Sequence, residues 1–490
     1  MMNNIDGKER DTLERIARRV MVERGFQTDF STEALDQLAK MQTVYGESGP
    51  ATKDLRSLPW ASIDNDDSLD LDQLTVAEAL PDNAVRIRVA VADVDILVKK
   101  NTAIDEHARQ NTTSIYTAGK TFSMLPEKLS TNLTSLNFQE DRPAVVADMV
   151  INDAGEFQNK AIYLATVHNY AKLTYRSVGA WLEGTGPVPD AIAAVPALAD
   201  NLRMQDRVAQ KLKAKRHEHG ALDLQTVEAR PVFEGEVIKG LQVEVKNRAT
   251  ELIEDFMIAA NDVTALFLRD KQVPSLRRVV RVPKRWDRIV EIAAHLNYQL
   301  PAVPDSKALN LFLTAQKAAN PVAFPDLSLS VIKLLGSGEY VVELPNETAP
   351  GHFGLAVQDY MHSTAPNRRF PDLITQRILK ATLEGSPMQY KQDELVELAA
   401  HCTQKEDDAN KVERQVAKSA AAMLLSSRIG NQFDAICTGA AEKGTWVRIF
   451  NPPVEGRLIS GFQGVDVGIR LKVQLIRTDV EKGFIDFKKA

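Results

Sequence analysis

Cysteine is scarce in this chain, which contains only Cys402 and Cys437 among its 490 residues. Two cysteines provide neither a disulfide framework nor a zinc cluster, and they fit a reducing compartment. Long apolar runs are lacking too, because the run at 191–199 is interrupted by Pro196, so no membrane span is expected. The polar start, MMNNIDGKERD, does not have the pattern of a signal peptide. We therefore expect a cytoplasmic protein with no membrane partner.

A glycine-rich phosphate loop of the form G-x-x-x-x-G-K-[ST] is also lacking, so a nucleotide triphosphate is not expected as a ligand. The formal net charge of −6 decides little by itself. An enzyme of nucleic acids can be acidic overall if acidic residues hold metals and basic residues line a channel. The placement of the charges along the chain is therefore more informative than their sum.

The segment D-N-D-D-S-L-D-L-D-Q contains five closely spaced aspartates, which are Asp64, Asp66, Asp67, Asp70 and Asp72. Carboxylates at this density cannot all be charged and dry, so they are either solvated on a surface loop or bound to hard cations. In an extended segment Asp70 and Asp72 project to one side, and Asp64 can return to that side through the loop. Such a set could bind one or two Mg²⁺ ions that activate a water and stabilise the leaving oxygen of a phosphodiester.

Apolar spacing predicts helices at 8–24 and after Ser31 and Thr32, so residues 1–50 are predicted to form a small all-α head. The head could be a helix-turn-helix-like module or a plain packing domain. Residues 46–58 have the composition of a linker.

A mixed α/β region is predicted to follow over residues 51–428. Its predicted strands cover 85–91 and 143–151, and its predicted helices cover 197–218, 249–268, 284–297, 372–384 and 391–428.

Five short alternating strands in residues 429–490 predict a closed barrel of the OB type. Trp446 and Phe450 could stack on bases there, or they could fill the barrel core. The basic residues that could meet phosphates are Arg448, Arg457, Arg470, Lys472 and Arg477. The predicted fold class is therefore a multidomain α+β protein with an all-α head, a mixed α/β catalytic domain and a five-stranded OB-type barrel.

The segment STAPNRRFPDLITQR places Arg368 and Arg369 directly before a predicted helix that begins at Pro371 or Asp372. Backbone N–H donors and guanidinium groups can converge on a phosphate at such a position. Alternatively, the two arginines pair with Asp372 or with other carboxylates.

Four segments, in this order, resemble motifs of the ribonuclease II family of 3′→5′ exoribonucleases, and the resemblance extends from about Leu55 to the C-terminus. LPWASIDNDDSLDLDQ resembles the acidic signature of the family, and SMLPEKLSTNLTSLNFQEDRPAVVADMVINDAGE resembles its M-L-P…L-S…L…S-L…R-P…D-G segment. NRATELIEDFMIAAN resembles its helix with I-E-E-F-M and A-N, and YMHSTAPNRRFPDL resembles its T-S-P-x-R-R-Y-x-D-L motif.

The resemblance implies a hydrolytic enzyme that degrades single-stranded RNA processively from the 3′ end with Mg²⁺ and releases nucleoside 5′-monophosphates. By position, Asp64, Asp70 and Asp72 match the metal-binding and catalytic aspartates of the family. Arg368 matches its catalytic arginine, and Arg369 follows as a second contact to RNA.

The resemblance also implies a set of residues along the RNA path. Tyr116 matches an aromatic that stacks near the terminal nucleotide, although a half-buried core tyrosine is the alternative. Tyr175 matches a further tyrosine near the RNA. Glu254 matches a carboxylate near the terminal ribose, where a 2′-hydroxyl contact selects RNA over DNA. Glu413 lies at a position similar to another glutamate near the active site.

Several positions depart from the family pattern. Gln73 stands where the acidic signature usually ends in a further aspartate, which could weaken one metal site. Leu224 stands where a phenylalanine commonly clamps the bases opposite Tyr116, and Ala365 and Phe370 each lack a usual hydroxyl.

At the N-terminus, some fifty helical residues cannot form the cold-shock barrels that family members commonly carry. A basic helix over 207–216 could add a phosphate track, or it could be a solvated face. The competing hypothesis is a catalytically weak or inactive RNA-binding protein of the same fold, and a nuclease on single-stranded DNA is a weaker third. Protein partners are not indicated by the sequence.

Overall fold

A computed structural model of the chain describes residues 9–42, 52–441 and 444–490, which begin with two helices, continue as a mixed region and end in five strands. The helices are α1 Glu9–Glu23, α2 Thr32–Ala39, α3 Ala103–Asn111, α4 Tyr175–Leu182, α5 Asp190–Ala193, α6 Leu198–His219, α7 Arg248–Asp270, α8 Trp286–His295, α9 Ser306–Ala319, α10 Phe324–Leu335, α11 Phe370–Glu384 and α12 Gln392–Leu425.

The strands are β1 Lys53–Asp54, β2 Trp60–Asp64, β3 Gln73–Ala79, β4 Val85–Ala92, β5 Ile115–Tyr116, β6 Thr121–Phe122, β7 Asp141–Ile151, β8 Phe157–Thr174, β9 Glu228–Glu234, β10 Val237–Glu244, β11 Ser275–Val279, β12 Glu339–Glu343, β13 Gln432–Ala441, β14 Gly444–Ile449, β15 Val454–Ser460, β16 Arg470–Asp479 and β17 Phe484–Lys489. A short π-helical turn covers Leu129–Leu133, and a 3-10 turn covers Ser426–Arg428.

The central sheet has the strand order β1-β8-β2-β3-β4-β7, and β8 pairs with β7 as well. The long strand β8 pairs first with β7 and then, over its last residues, in parallel with β2, where Asp64 lies opposite Thr174. β2 and β3 are antiparallel neighbours, so the acidic loop between them leaves and re-enters the sheet at the same end. The strands predicted over 85–91 and 143–151 are confirmed as β4 and β7.

Helices α7 and α11 pack against this sheet and build the largest apolar core. α7 contributes Leu252 and Phe256, and α11 contributes Leu373 and Ile378, to a cluster with the sheet residues. A second core joins α8, α9 and α10 through Trp286 and other apolar side chains. The predicted helices in this region are confirmed within a few residues at their ends, which is the usual scatter of helix boundaries.

The two N-terminal helices pack on different parts of the body. α1 buries Leu13, Ile16 and Val20 in a cluster with α12, whereas α2 contributes Ala34 to the cluster of the central sheet. The predicted linker at 46–58 lies partly outside the described residues. Its second half is structured, because β1 pairs with β8 there.

The C-terminal strands form a closed barrel in the order β13-β14-β15-β17-β16. This confirms the predicted five-stranded barrel, with Phe487 fully buried in its core. The barrel is seated on the end of α12, since Ala422 and Leu425 belong to the barrel core. Across the parts of the chain that are described, none of the helices combines the length and the apolar character needed to cross a lipid bilayer.

Candidate active site

The acidic loop is held in place by its neighbours. The Leu71 N–H donates to Ser135 Oγ at 2.9 Å, and the Leu136 N–H donates to the Leu71 carbonyl at 2.9 Å. Lys172 Nζ donates to the Ser68 carbonyl at 2.7 Å from β8. Asp64, at the end of β2, and Asp72, directly before β3, are therefore fixed at the same end of the sheet.

Asp72 links the acidic loop to the arginine motif. Its carboxylate accepts Arg368 Nε at 3.1 Å and the Asn367 N–H at 3.3 Å. Asp72 is 2% exposed, and Asn367 is fully buried, with its side-chain oxygen accepting the Thr134 hydroxyl at 2.6 Å. Two motifs that are 296 positions apart in the sequence thus meet in one site.

The positive charge of Arg368 does not fully offset the burial of the carboxyl groups in this site and their repulsion by Asp70. Burial raises the pKa of Asp72 to about 6, with Arg368 opposing the shift and the charge of Asp70 adding to it. Burial also raises the pKa of Asp64, with Asp70 again adding to the shift. Asp64 and Asp72 therefore each interact with Asp70 and with Arg368, and a further cation would stabilise the charged carboxylates.

The donor set fits a hard divalent cation, although the ligands are not arranged around one. Within the ranges that the structure covers, no three His, Cys, Asp or Glu side chains form a ready metal site. Asp72 is paired with Arg368, and Asp64 Oδ1 accepts the Asn65 N–H at 2.8 Å. The predicted convergence of three aspartates is thus not assembled here. Crowded carboxylate oxygens with raised pKa values are nevertheless the chemistry that Mg²⁺ stabilises.

Gln73 is 9% exposed and begins β3 directly after Asp72. Its neutral amide adds no charge to the carboxylates. Asp66 and Asp67 are exposed, and Asp66 pairs with Arg176 at 3.3 Å, so Asp66 is oriented toward a surface partner.

Tyr116 lies on the β5–β6 hairpin with 46% of its surface exposed. Desolvation raises its pKa to about 12; Arg368 opposes the shift, and the charges of Asp70 and Asp72 add to it. The phenol therefore lies within the electrostatic reach of the Asp72–Arg368 pair. The Tyr116 N–H donates to Glu413 Oε1 at 2.8 Å, which brings α12 to the same place.

Tyr175 and Glu254 lie on the side of Asp64. Burial raises the pKa of Tyr175, with the charge of Asp64 as the next cause and a smaller one from Glu254. The parallel pairing of β8 with β2 explains this, because Tyr175 follows the residue opposite Asp64. Glu254, on α7, pairs with Lys246 at 2.6 Å.

The neighbouring arginines have different partners. Arg369 donates to Asp372 at 2.8 Å, and Asp372 is fully buried. The alternative of pairing with Asp372 thus describes Arg369, whereas Arg368 faces Asp72.

Three other predicted contacts with RNA lie elsewhere. Leu224 packs against the core of α8, α9 and α10. Trp446 is half-buried on β14, opposite Arg457 of β15. Arg448 pairs at 2.7 Å with Asp326 of α10, so it connects the barrel to the body.

The basic face of α6 is largely neutralised by acidic neighbours. Its ion pairs are Lys211 with Asp153, Lys213 with Glu251, Lys215 with Glu156 and Arg216 with Asp255. These pairs disfavour a phosphate track on this helix.

Sequence reasoning did not identify the residues that hold the acidic loop and Asp72, namely Thr134, Ser135, Lys172 and Asn367. Thr134 and Ser135 lie in the segment SMLPEKLSTNLTSLNF, which carried the resemblance as a motif without assigned roles. Their hydroxyl groups were a usable signal, since buried hydroxyls in a loop commonly bind backbone groups.

Comparison with known proteins gives a consistent result. The sequence model of the RNB domain matches residues 52–385, and that of the RNase II-type exonuclease C-terminal S1 domain matches residues 431–490. Ribonuclease R of Escherichia coli strain K12 is 30% identical over 435 residues, covering 86% of this chain and 52% of the relative. Ribonuclease R 1 of Lactococcus lactis subsp. lactis is 27% identical over 496 residues, covering 94% and 59%.

A solved structure, Mycoplasma genitalium RNase R in complex with ribose methylated single-stranded RNA, matches with a TM-score of 0.87 at 22% identity. The match covers 98% of this chain and 78% of that one, and it shows the likeness of the fold. The chain spans only 52–59% of the length of the two curated relatives above.

Proposed function

The chain belongs to the RNB-domain family, and from this premise we propose that it is a hydrolytic 3′→5′ exoribonuclease. Its substrate is single-stranded RNA, which it degrades processively with Mg²⁺ to nucleoside 5′-monophosphates. The observation that carries the proposal is the contact between buried Asp72 and Arg368, since two distant motifs of phosphodiester chemistry meet there.

Asp64, Asp70 and Asp72 would hold one or two Mg²⁺ ions. When bound, the metal supplies an activated water and stabilises the charge on the leaving oxygen. Asp72 engages the Nε–H of Arg368 and so orients the guanidinium, whose Nη groups are then the donors for phosphoryl oxygens. Charge that develops on the phosphate in the transition state is stabilised by this fixed cation.

The side chains around the carboxylates account for substrate choice. The exposed ring of Tyr116 offers a stacking face for a base, and stacking requires an unpaired strand. Tyr175 lies within the electrostatic reach of Asp64 and Glu254. A glutamate near the terminal ribose can accept a hydrogen bond from the 2′-hydroxyl, a group that DNA lacks.

The test uses single-stranded RNA labelled at its 5′ end, incubated with Mg²⁺ or with EDTA. We expect stepwise shortening from the 3′ end and nucleoside 5′-monophosphates by chromatography, both only with Mg²⁺. Asp72→Asn should abolish both, whereas Asp200→Asn, on the exposed face of α6, should not. A matched DNA strand should remain intact. Shortening that survives EDTA or Asp72→Asn contradicts the proposal.

Gln73 motivates the competing function, an RNA-binding protein with weak or no hydrolysis. The discriminating variant is Gln73→Asp, with Gln73→Asn as a control that has the same size without the charge. A parent protein that binds RNA, releases no monophosphates and gains hydrolysis only in Gln73→Asp would replace the proposed function with this one.

A further inference from the structure

Helix α1 lies before the region matched by the RNB domain, yet it packs directly on the hairpin that carries Tyr116. Leu13 and Ile16 of α1 share one apolar cluster with Ile115 and Phe122 of the hairpin. All four side chains are buried. The hairpin therefore has α1 as one wall of its core.

Gly119, in the turn of this hairpin, makes the approach possible. A Cβ at this position would lie 2.6 Å from the backbone nitrogen of Glu14 and 3.0 Å from the carbonyl carbon of Leu13. Both atoms belong to the backbone of α1, so neither can rotate away. Gly119 does not have a left-handed φ, and the requirement for glycine is therefore one of space. Lys120, the next residue, pairs with Glu14 at 3.2 Å.

The hairpin is also held by α12, where Glu413 accepts the Tyr116 N–H at 2.8 Å. α1 is itself anchored at both ends. The Ile238 N–H of β10 donates to Glu9 Oε2 at 2.6 Å, and Arg19 Nη2 donates to the Glu481 carbonyl in the barrel at 2.8 Å. The hairpin thus contacts two helices, α1 and α12, that pack on each other and on the rest of the molecule.

β5 and β6 have two residues each, and a two-stranded hairpin this short is not stable by itself. The position of the Tyr116 ring therefore depends on what the hairpin packs against. We propose that α1, through its close contact with Gly119, is the positioning element that holds Tyr116 against the terminal base of the RNA. This inference rests on the proposed function, and it assigns to α1 a role in gripping the substrate.

The test compares Gly119→Ala with Gly240→Ala, a control in a strand where a Cβ meets no atom within 4 Å and φ is not left-handed. Gly119→Ala should raise KM at least about 5-fold, because stacking of one base on an aromatic ring contributes about 5- to 150-fold in affinity. Its kcat at saturating RNA should stay within about twofold, since the carboxylates and Arg368 are untouched. Gly240→Ala should leave both parameters unchanged.

A spectroscopic measurement reports on the ring without hydrolysis. RNA with 2-aminopurine at its 3′ terminus is titrated with protein in EDTA, and stacking of this base quenches its fluorescence. The quenching at saturation should fall in Gly119→Ala and in Tyr116→Ala. In a double-mutant cycle, Gly119→Ala should add little to Tyr116→Ala, because both act through the same ring.

Two results would overturn the inference. One is that Gly119→Ala changes KM and quenching equally in the parent and in Tyr116→Ala; the other is that Gly119→Ala has the KM and the quenching of the parent. If Gly119→Ala yields too little folded protein, Phe122→Leu answers the same question, since it loosens the same contact while keeping an apolar side chain. A parent that neither binds nor cleaves RNA contradicts the proposed function. A parent that cleaves RNA, beside a Gly119→Ala variant with parental KM, contradicts this inference alone.

Discussion

At the scale of single residues, Arg368 and Arg369 differ in what they neutralise. Arg368 faces Asp72 with 43% of its side chain exposed, so its guanidinium is accessible to a ligand. Arg369 is 25% exposed and pairs with the fully buried Asp372, which also accepts the Ala365 N–H at 2.8 Å. Arg368 thus belongs to the candidate active site, whereas Arg369 stabilises the fold.

Arg368→Gln should lose activity, and Arg369→Gln should lose stability. Removal of a positioned donor to a transition state costs about 10²- to 10³-fold in kcat. Loss of one partner of a buried ion pair costs about 3–5 kcal/mol in the free energy of unfolding. Urea unfolding and RNA hydrolysis per folded molecule would measure both effects. Stability should fall in both variants, because Arg368→Gln also leaves the buried Asp72 without its cation. Equal losses of kcat per folded molecule would contradict the assignment.

The residues of the site could be predicted only in part. The density of Asp64, Asp70 and Asp72 and the pair Arg368–Arg369 indicated chemistry because such charge needs partners. Sequence could not show that Asp372 is the partner of one arginine and Asp72 that of the other, since this depends on how α11 meets the sheet. Asn367 was missed for the same reason: its contact with Asp72 is long-range.

At the scale of elements, Asn247 connects the start of α7 with the start of α4. Its side chain caps α7 by accepting the N–H groups of Ala249 and Thr250 at 3.0 Å each. Its Nδ2 donates to the Tyr175 carbonyl at 3.0 Å. One side chain thus orders a helix and a predicted RNA contact.

Asn247→Ala should lower the free energy of unfolding by about 1–2 kcal/mol, the contribution of a cap. It should also raise the KM for RNA, because Tyr175 loses its link to α7. Asp305→Ala is the matched control: it removes the cap of α9, whose side chain accepts the Ala308 N–H at 3.0 Å. The control should lose similar stability at unchanged KM. A raised KM in both variants would show that the effect is general destabilisation.

His107 of α3 connects α3 with the segment before α2. His107 is 5% exposed, and its ring lies against that of Phe30, tilted by 37° with 4.1 Å between the ring centroids. Burial lowers the pKa of His107 to about 4. The folded state thus binds a proton less readily than the unfolded state does.

Acid should therefore destabilise the protein in the window between the two pKa values, from about 6.5 down to about 4. His107 should contribute about 2 kcal/mol of lost stability between pH 7 and pH 5. His107→Gln should flatten the dependence of the free energy of unfolding on pH, and His295→Gln, at an exposed position, should not. Burial also lowers the pKa values of His352, His362 and His401, so these groups add to the dependence that remains in His107→Gln. An unchanged slope in His107→Gln would contradict the assignment.

Elements with one strong period were predictable, and elements with mixed surroundings were not. The amphipathic spacing of α1, α6 and α12 gave their bounds within a few residues. β8 was missed because its exposure changes along 18 residues as its pairing partner changes from β7 to β2. The β5–β6 hairpin was missed because strands of two residues have no period.

At the scale of the whole molecule, the ion pair between Arg448 and Asp326 joins the barrel to α10. The two side chains are 13% and 6% exposed. Asp326→Leu or Arg448→Leu alone should cost about 3 kcal/mol, because each leaves a buried charge unpaired. The double variant should cost less than the sum of the two. Additive losses in urea unfolding would show that the pair does not couple the two parts.

The arrangement of the N-terminal helices was less predictable than their existence. An all-α head was expected from two amphipathic patterns, but a pattern shows only that a face is buried and does not identify its partner. α1 and α2 bury their faces against α12 and against α3. The partners of α1 and α2 are distant in the sequence, so their contacts depend on how the rest of the protein folds.

Helix α12 runs through three of the apolar cores. Leu395 and Leu398 lie in the core of the central sheet, Val412 and Val416 in that of α1, and Leu425 in that of the barrel. Consider a chimera that takes its barrel from a relative and is spliced at the start of the barrel. It would pack a foreign barrel against the end of this protein's own α12. The better splice point lies before residue 391, so that α12 and the barrel come from the same protein.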